Sequence, residues 1–189
     1  MTNLEIINSF LNYLKVEKRY SSHTVVSYKN DLIQFNLYLS NFYSGVKFSA
    51  VEMLHIRSYM VNLIESNLAK SSIARKISTI KSIYKFLKKE KIVLSSPVQL
   101  IETPKIGSRL PTFLKEEEIV NLFQEFEFED SFSGFRDKIM MYLLYQSGIR
   151  LSELIGLKEK DIRNSELKVL GKRNKERIIP LSKKTNIFL

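Results

Sequence analysis

Between Ser71 and Lys89 runs the pattern that most narrows what this chain can fold into: Ile73, Ile77, Ile80, Tyr84 and Leu87 recur at alternating spacings of four and three residues. At about 100° per residue these side chains share an arc of roughly 80°, as a helix with one buried face requires. Arg75, Lys81, Lys85, Lys88 and Lys89 occupy a second arc of roughly 140°, opposite or beside the first. No acidic residue interrupts that arc between Arg75 and Lys89. One face is therefore expected to be core and another strongly positive, which suits contact with a phosphate backbone. A merely solvated basic face is the competing explanation.

Three helical segments precede this one. Thr2-x-x-Glu5 reads as a capping box opening a helix with Leu4, Ile7, Leu11 and Leu14 on its apolar face. Ser21, Ser22, His23 and Thr24 offer capping groups before Val25, Leu32, Phe35, Leu39 and Phe42. Ser49-x-x-Glu52 reads as a further capping box, leading into Met53, Ile56, Met60 and Ile64. The first hundred residues thus predict a compact four-helix unit. Near the start of the second helix, His23, Thr24, Tyr28 and Lys29 combine hydroxyl, aromatic and cationic groups suited to sugar-phosphate contacts, although capping and packing explain most of them equally.

The net charge is +10, and its distribution says more than its size. Residues 1–106 carry 15 Lys and Arg against 7 Asp and Glu, whereas residues 107–189 carry 15 against 13, so the first part is the basic module. Absence of cysteine excludes disulfides and thiolate metal sites, and with only His23 and His55 a zinc site is not expected. No metal or other cofactor is expected. There is no run of about 18 apolar residues and no signal-peptide pattern at Met1–Glu5, so the expected location is cytoplasmic, with no membrane partner.

Pro97, Pro104 and Pro111 lie within 15 residues of one another, with Gly107-Ser108 among them. This predicts a first domain over residues 1–101, a linker over 102–111 and a second domain over 112–189. In the second domain, a helix is expected from Thr112 to about Phe126, with Glu116, Glu117 and Glu118 in its first turn, where the helix dipole favours carboxylates. Phe135 to Gln146 reads as a buried core helix stopped by Gly148. Leu151 to Leu157 reads as a short helix, and Leu167–Leu170 with Arg177–Leu181 as a hairpin around a basic tip. The fold class is therefore mainly α, with a partial α+β second domain containing a small β-hairpin.

Arg150 stands where one helix has ended and the next begins, and Lys172 stands at the hairpin tip 22 residues later. A guanidinium offers a rigid bidentate fork to phosphate oxygens, whereas an ammonium is a compact proton donor on a flexible stem. Together they suit a phosphodiester.

The ordered set of segments resembles the tyrosine recombinases of the phage integrase family, most closely the bacterial chromosome-dimer-resolving XerC/XerD type. The segments are Phe10–Lys18, Ser22–Leu32, Ala74–Leu87, Pro97, Pro104-Lys105, Leu110-Pro111, Arg136–Lys138, Gly148–Leu157 and Gly171–Leu181. The resemblance implies a SAM-like core-binding domain followed by the start of the catalytic domain. It implies cleavage by a tyrosine hydroxyl through a 3′-phosphotyrosyl link, without ATP or metal. It makes Arg150 a catalytic arginine on the nonbridging oxygens, a role worth several kcal/mol at about 1.4 per decade of rate. Glu153 would hold Arg150, with an ordinary surface ion pair as the alternative. Lys172 would protonate the leaving 5′ oxygen, with Lys175 as the fallback. Many relatives have glycine where this chain has Arg173, so the turn is expected to differ slightly; Arg173 and Lys175 would add to the DNA contacts.

The family pattern also needs a His-x-x-Arg pair, a further His or Trp, and a nucleophilic tyrosine after the hairpin. Both histidines precede residue 56, there is no tryptophan, and the last tyrosine is Tyr145. The expectation is therefore about two thirds of a recombinase, which binds double-stranded DNA but does not cut it. At full length the partners would be homologous or paralogous recombinase subunits in a tetrameric synapse. The alternative is a naturally shortened DNA-binding relative that regulates or competes at recombination sites.

Overall fold

The computed structural model describes residues 1–104, 107, 112–113, 115–125, 127–163, 165–171 and 175–182. It divides into two compact units, Met1–Leu110 and Pro111–Leu189.

The first unit contains α1 (Asn3–Val16), α2 (Ser22–Phe42), α3 (Met53–Glu65) and α4 (Lys70–Lys89). At the start of α1, Thr2 Oγ1 accepts the Glu5 N–H at 3.2 Å and the Glu5 carboxylate accepts the Thr2 N–H at 2.7 Å. Ser21 Oγ accepts the Thr24 N–H at 3.3 Å to open α2. Each such bond satisfies a donor that the helix itself leaves unpaired. All five apolar residues of the α4 stripe are buried, and they pack with Phe10, Leu32, Phe35 and Phe48 in one core. Tyr84 donates its hydroxyl to the Phe48 carbonyl at 2.9 Å. Val98 and Ile101 join the same core, so the chain after α4 folds back onto the helices.

Three helical expectations need correction. Ser49 does not cap α3: it lies in a 3-10 turn at Phe48–Ala50, and Glu52 occupies the cap position with its N–H donating to His55 Nδ1 at 2.9 Å. Burial of Phe48 and Val51 holds the chain in that turn and delays the helix. The buried face of α3 is Ile56, Tyr59 and Leu63, whereas Ile64 is exposed and Met60 only partly covered. Likewise Leu4 and Phe42 are exposed while Ile6, Phe10 and Tyr38 are buried. Several apolar stripes were available on each helix, and the large rings of Phe10, Tyr38 and Tyr59 bury the most area.

A charged cluster lies inside this unit. Asp31 on α2 is 2% exposed and Lys76 on α4 is 5% exposed. Lys76 Nζ donates to Asp31 Oδ1 at 3.1 Å and to Gln34 Oε1, Thr79 Oγ1 donates to Asp31 Oδ2 at 3.0 Å, and Arg75 Nη1 donates to Asp31 Oδ2. Pairing and hydrogen bonding are what allow these charges to be buried at all.

The second unit contains α5 (Glu116–Glu125), α6 (Phe132–Ser147), α7 (Leu151–Ile155) and a three-stranded antiparallel sheet. Its strands are β1 (Ile162–Arg163), β2 (Glu166–Leu170) and β3 (Glu176–Pro180), in that order. Leu167 pairs with Ile179 and Val169 with Arg177. Leu167 and Val169 face a core with Leu143, Ile149, Leu154 and Leu181. Strand β1 was not anticipated; two residues leave no alternation to read.

The expected helix from Thr112 begins instead at Glu116, because Glu118 accepts the Lys115 N–H at 2.8 Å and fixes the start there; Phe126 lies outside the described residues. Helix α6 opens with Ser131 Oγ accepting the Gly134 N–H at 3.2 Å and stops at Gly148, whose φ is +59°. It is not the fully buried element its composition suggests. Leu143 is its one buried apolar side chain among the described residues, whereas Phe132, Phe135 and Tyr145 are exposed. Its apolar residues are spread round the helix, and the core about Leu143 covers one side. Helix α7 ends at Ile155 rather than Leu157, where Gly156 turns the chain.

Candidate phosphate site and nucleic-acid interface

Gly148 adopts a left-handed conformation that ends α6, Ile149 is buried, and Arg150 precedes the first turn of α7. This places the Arg150 backbone N–H and its guanidinium on the same carboxylate. Glu153, 7% exposed, accepts the Arg150 N–H at 2.8 Å on Oε2 and Arg150 Nη1 at 2.8 Å on Oε1. Arg177, reaching over from β3, completes the arrangement: its Nη1 lies 3.1 Å from Oε1 and its Nη2 2.9 Å from Oε2. The backbone N–H of Arg150, helped by its guanidinium and by the charge of Arg177, holds the Glu153 carboxyl below the usual carboxylate range despite the opposing effect of burial. The Arg150 side chain remains 63% exposed. Among the described residues, one of its guanidinium nitrogens is engaged by Glu153 and the other donors have no protein partner, as a contact to an anion would require.

The hairpin joins this cluster at its neck. Gly171 donates its N–H to the Lys175 carbonyl at 2.7 Å. A Cβ at Gly171 would lie 3.2 Å from that carbonyl and 3.4 Å from Arg177 Nη1, so a side chain here would crowd the neck. Lys172 and Arg173 lie outside the described residues; Lys175 is exposed.

In the first unit, Lys85 and Lys88 are exposed on α4 and line a cleft of about 530 Å³ with Tyr28 and Lys89. The other expected cations are more engaged. Lys81 Nζ donates to Thr103 Oγ1 at 3.0 Å, Lys89 pairs with Glu17 at 2.9 Å and sits 4.5 Å from the Tyr13 ring centroid, and Arg75 binds both Ser27 and Asp31. On α2, His23 and Lys29 are exposed, Thr24 is tied to Ser21, and Tyr28 packs 6.0 Å from the Phe10 ring. The structure therefore gathers Tyr28, Lys85, Lys88 and Lys89 round one cleft, while Arg75 is drawn toward the buried acid.

Further residues, not expected from the sequence, belong here. Tyr13, Lys18 and Tyr20 line the same cleft, brought there by tertiary packing that no local pattern announces. Arg177 and Lys76 did leave a signal. Arg177 alternates with Ile179 and so falls on the inward face of β3, and Lys76 lies at the edge of the α4 apolar arc.

With this geometry in hand, the chain matches two family models: the phage integrase N-terminal SAM-like domain over residues 7–91 and the phage integrase family over residues 112–189. The chain belongs to the tyrosine recombinases of the phage integrase family. Among its relatives, tyrosine recombinase XerC of Staphylococcus haemolyticus is 41% identical over 179 residues, covering 93% of this chain and 59% of the relative. XerC of Staphylococcus aureus (strain NCTC 8325 / PS 47) is 39% identical over 178 residues, covering 93% and 58%. The chain thus spans somewhat under two thirds of the length of these relatives. Solved structures share the fold: a lambda integrase dimer bound to a COC′ core site superposes with a TM-score of 0.69 at 16% identity, over 95% of this chain and 49% of that one. A lambda integrase tetramer bound to a Holliday junction gives 0.70 at 17%, over 95% and 51%. No described helix is long and apolar enough to cross a membrane.

Proposed function

We propose that this chain binds duplex DNA as part of a site-specific tyrosine recombinase, and that the 189-residue polypeptide grips a phosphodiester without cleaving it. The observation that carries this reading is Arg150, anchored to a buried carboxylate by one guanidinium nitrogen with its remaining donors exposed. In the recombinase reaction a tyrosine hydroxyl attacks phosphorus, the 5′ oxygen leaves, and negative charge grows on the nonbridging oxygens. A preorganised guanidinium stabilises that charge without further reorganisation. Lys172 is assigned the proton for the leaving oxygen, with Lys175 as the nearest alternative. The nucleophile is not supplied by residues 146–189, which contain no tyrosine. Lys85, Lys88, Lys89 and Tyr28 supply backbone contacts from the first unit; His23, Thr24, Lys29, Arg75, Lys81 and Arg173 are assigned supporting contacts. The location is cytoplasmic, and the full-length partners are recombinase subunits in a tetrameric synapse.

The test has two arms. Fluorescence anisotropy on a duplex carrying a recombination core site is expected to show binding that weakens steeply with salt and weakens again in the Lys85→Ala/Lys88→Ala variant. Incubation with a nicked suicide substrate is expected to give no covalent protein–DNA product in a denaturing gel. Salt-insensitive binding would overturn the DNA assignment, and a phosphotyrosyl adduct would overturn the claim that this polypeptide does not cut.

A further inference from the structure

Arg177 has no role in that reading, yet among the described residues it is the one whose guanidinium reaches both oxygens of Glu153. We propose that Arg177 is a positioning residue: by clamping both oxygens of Glu153 it keeps Arg150 free for phosphate and ties strand β3 to the same carboxylate. The inference rests on the reading of Arg150 as a phosphate contact and deepens it.

The geometry shows why both arginines are needed. Oε1 receives Arg150 Nη1 at 2.8 Å and Arg177 Nη1 at 3.1 Å, while Oε2 receives the Arg150 backbone N–H at 2.8 Å and Arg177 Nη2 at 2.9 Å. The planar fork of Arg177 sets the plane of the carboxylate and occupies acceptor sites on both oxygens. Arg150 can then engage it by a single guanidinium nitrogen. Without Arg177, the buried carboxylate has one cation beside it and its freed acceptor sites draw the Arg150 guanidinium into a bidentate pair. Such a pair competes with phosphate for the same donors. Lysine at 177 cannot replace the fork, because one ammonium does not fix a carboxylate plane.

The mechanical link runs through the neck of the hairpin. Arg177 lies on β3 opposite Val169, and a Cβ at Gly171 would come within 3.4 Å of Arg177 Nη1, so the guanidinium sits close against the neck. Arg150 enters from the α6–α7 junction, so two elements distant in sequence meet at Glu153. Arg177 thereby links the phosphate-gripping arginine to strand β3.

The experiment uses the whole chain and compares wild type with Arg150→Ala, Arg177→Gln, Arg177→Lys and the Arg150→Ala/Arg177→Gln double variant. Duplex DNA affinity is measured across a salt series, and Arg150 guanidinium rotation is followed by ¹⁵N NMR without DNA. Arg150→Ala is expected to reduce the salt slope by about 0.9, the release of one counterion. Arg177→Gln and Arg177→Lys are expected to reproduce that loss, the double variant to lose no more than Arg150→Ala alone, and Arg150 rotation to slow in both Arg177 variants. Additive losses in the double variant would make Arg177 a DNA contact in its own right and overturn the proposal. Unchanged Arg150 rotation would overturn it independently of DNA. If Arg150→Ala leaves the salt slope intact while rotation still responds to Arg177, it is the phosphate role of Arg150 that fails. Amide protection across β2 and β3 monitors folding; should Arg177→Gln lose it, the charge-conserving Arg177→Lys carries the comparison.

Discussion

Replacing Asp31 by asparagine tests whether the first unit is held together by its buried charges as well as its apolar core. The substitution keeps volume and removes one charge. Lys76, with a side chain 6% exposed, would then have only Gln34 and a neutral amide as partners, while Arg75 and Thr79 lose their ionised acceptor. Breaking a buried ion pair from one side costs about 3–5 kcal/mol. Against a typical domain stability of about 5–15 kcal/mol, that is a large fraction. Native-state hydrogen exchange of the slowest α4 amides reads the opening free energy of this unit directly. At about 1.4 kcal/mol per decade, those amides should exchange roughly 140- to 3,700-fold faster. The double replacement Asp31→Leu/Lys76→Met removes the charge and its partner together and should recover most of the loss, since a packed apolar pair is often as stable as a buried ionic one. Acceleration of less than about tenfold in Asp31→Asn would refute the reasoning. So would a double variant no more stable than the single one.

Other outcomes follow from individual contacts. Tyr59 has a buried hydroxyl without a hydrogen-bond partner among the described residues, whereas the buried Tyr84 hydroxyl bonds the Phe48 carbonyl. Tyr59→Phe should therefore be neutral or stabilise by about 1 kcal/mol and Tyr84→Phe should cost about 1 kcal/mol, read by the same exchange experiment; equal effects would contradict the assignment. Because the folded state lowers the Glu153 pKa, its contribution is complete above the ordinary glutamate value of about 4.3 and is lost as pH falls through the lowered one. A ¹³C titration of the Glu153 carboxyl should show its midpoint below that value, and a midpoint at or above it would sink the clamp geometry. Gly148→Ala forces a side chain into a left-handed conformation and should destabilise the end of α6 by about 1 kcal/mol, seen as faster exchange of the Gly148-position amide; unchanged exchange would argue against a left-handed stop.

The helices of the first unit were legible because their apolar residues recur at the helical period and their starts carry capping groups. Phases were less secure: Tyr59 and Leu63 displaced Met60 and Ile64 in the α3 core, because long-range ring packing decides between adjacent stripes. The Arg150–Glu153 contact was readable from a spacing of three residues, whereas the reach of Arg177 depends on how β3 returns beside α7, which is tertiary information. For the same reason Lys18 and Tyr20, placed by the path between α1 and α2, could not be assigned to the cleft in advance. The expected basic face on α4 proved uneven, since Asp31, Glu17 and Thr103 from other segments engage Arg75, Lys89 and Lys81. A helical projection sees only its own helix.

Glu153 also fixes the electrical balance of the arginine pair. It neutralises one of the two guanidinium charges beside it, so the three side chains together carry a single positive charge. A phosphodiester carries one negative charge, which would leave these three side chains and their ligand neutral together. A terminal phosphate, nearly doubly charged at neutral pH, would leave it negative beside a buried carboxylate. On charge alone, these three residues are matched to the interior of a strand rather than to its end.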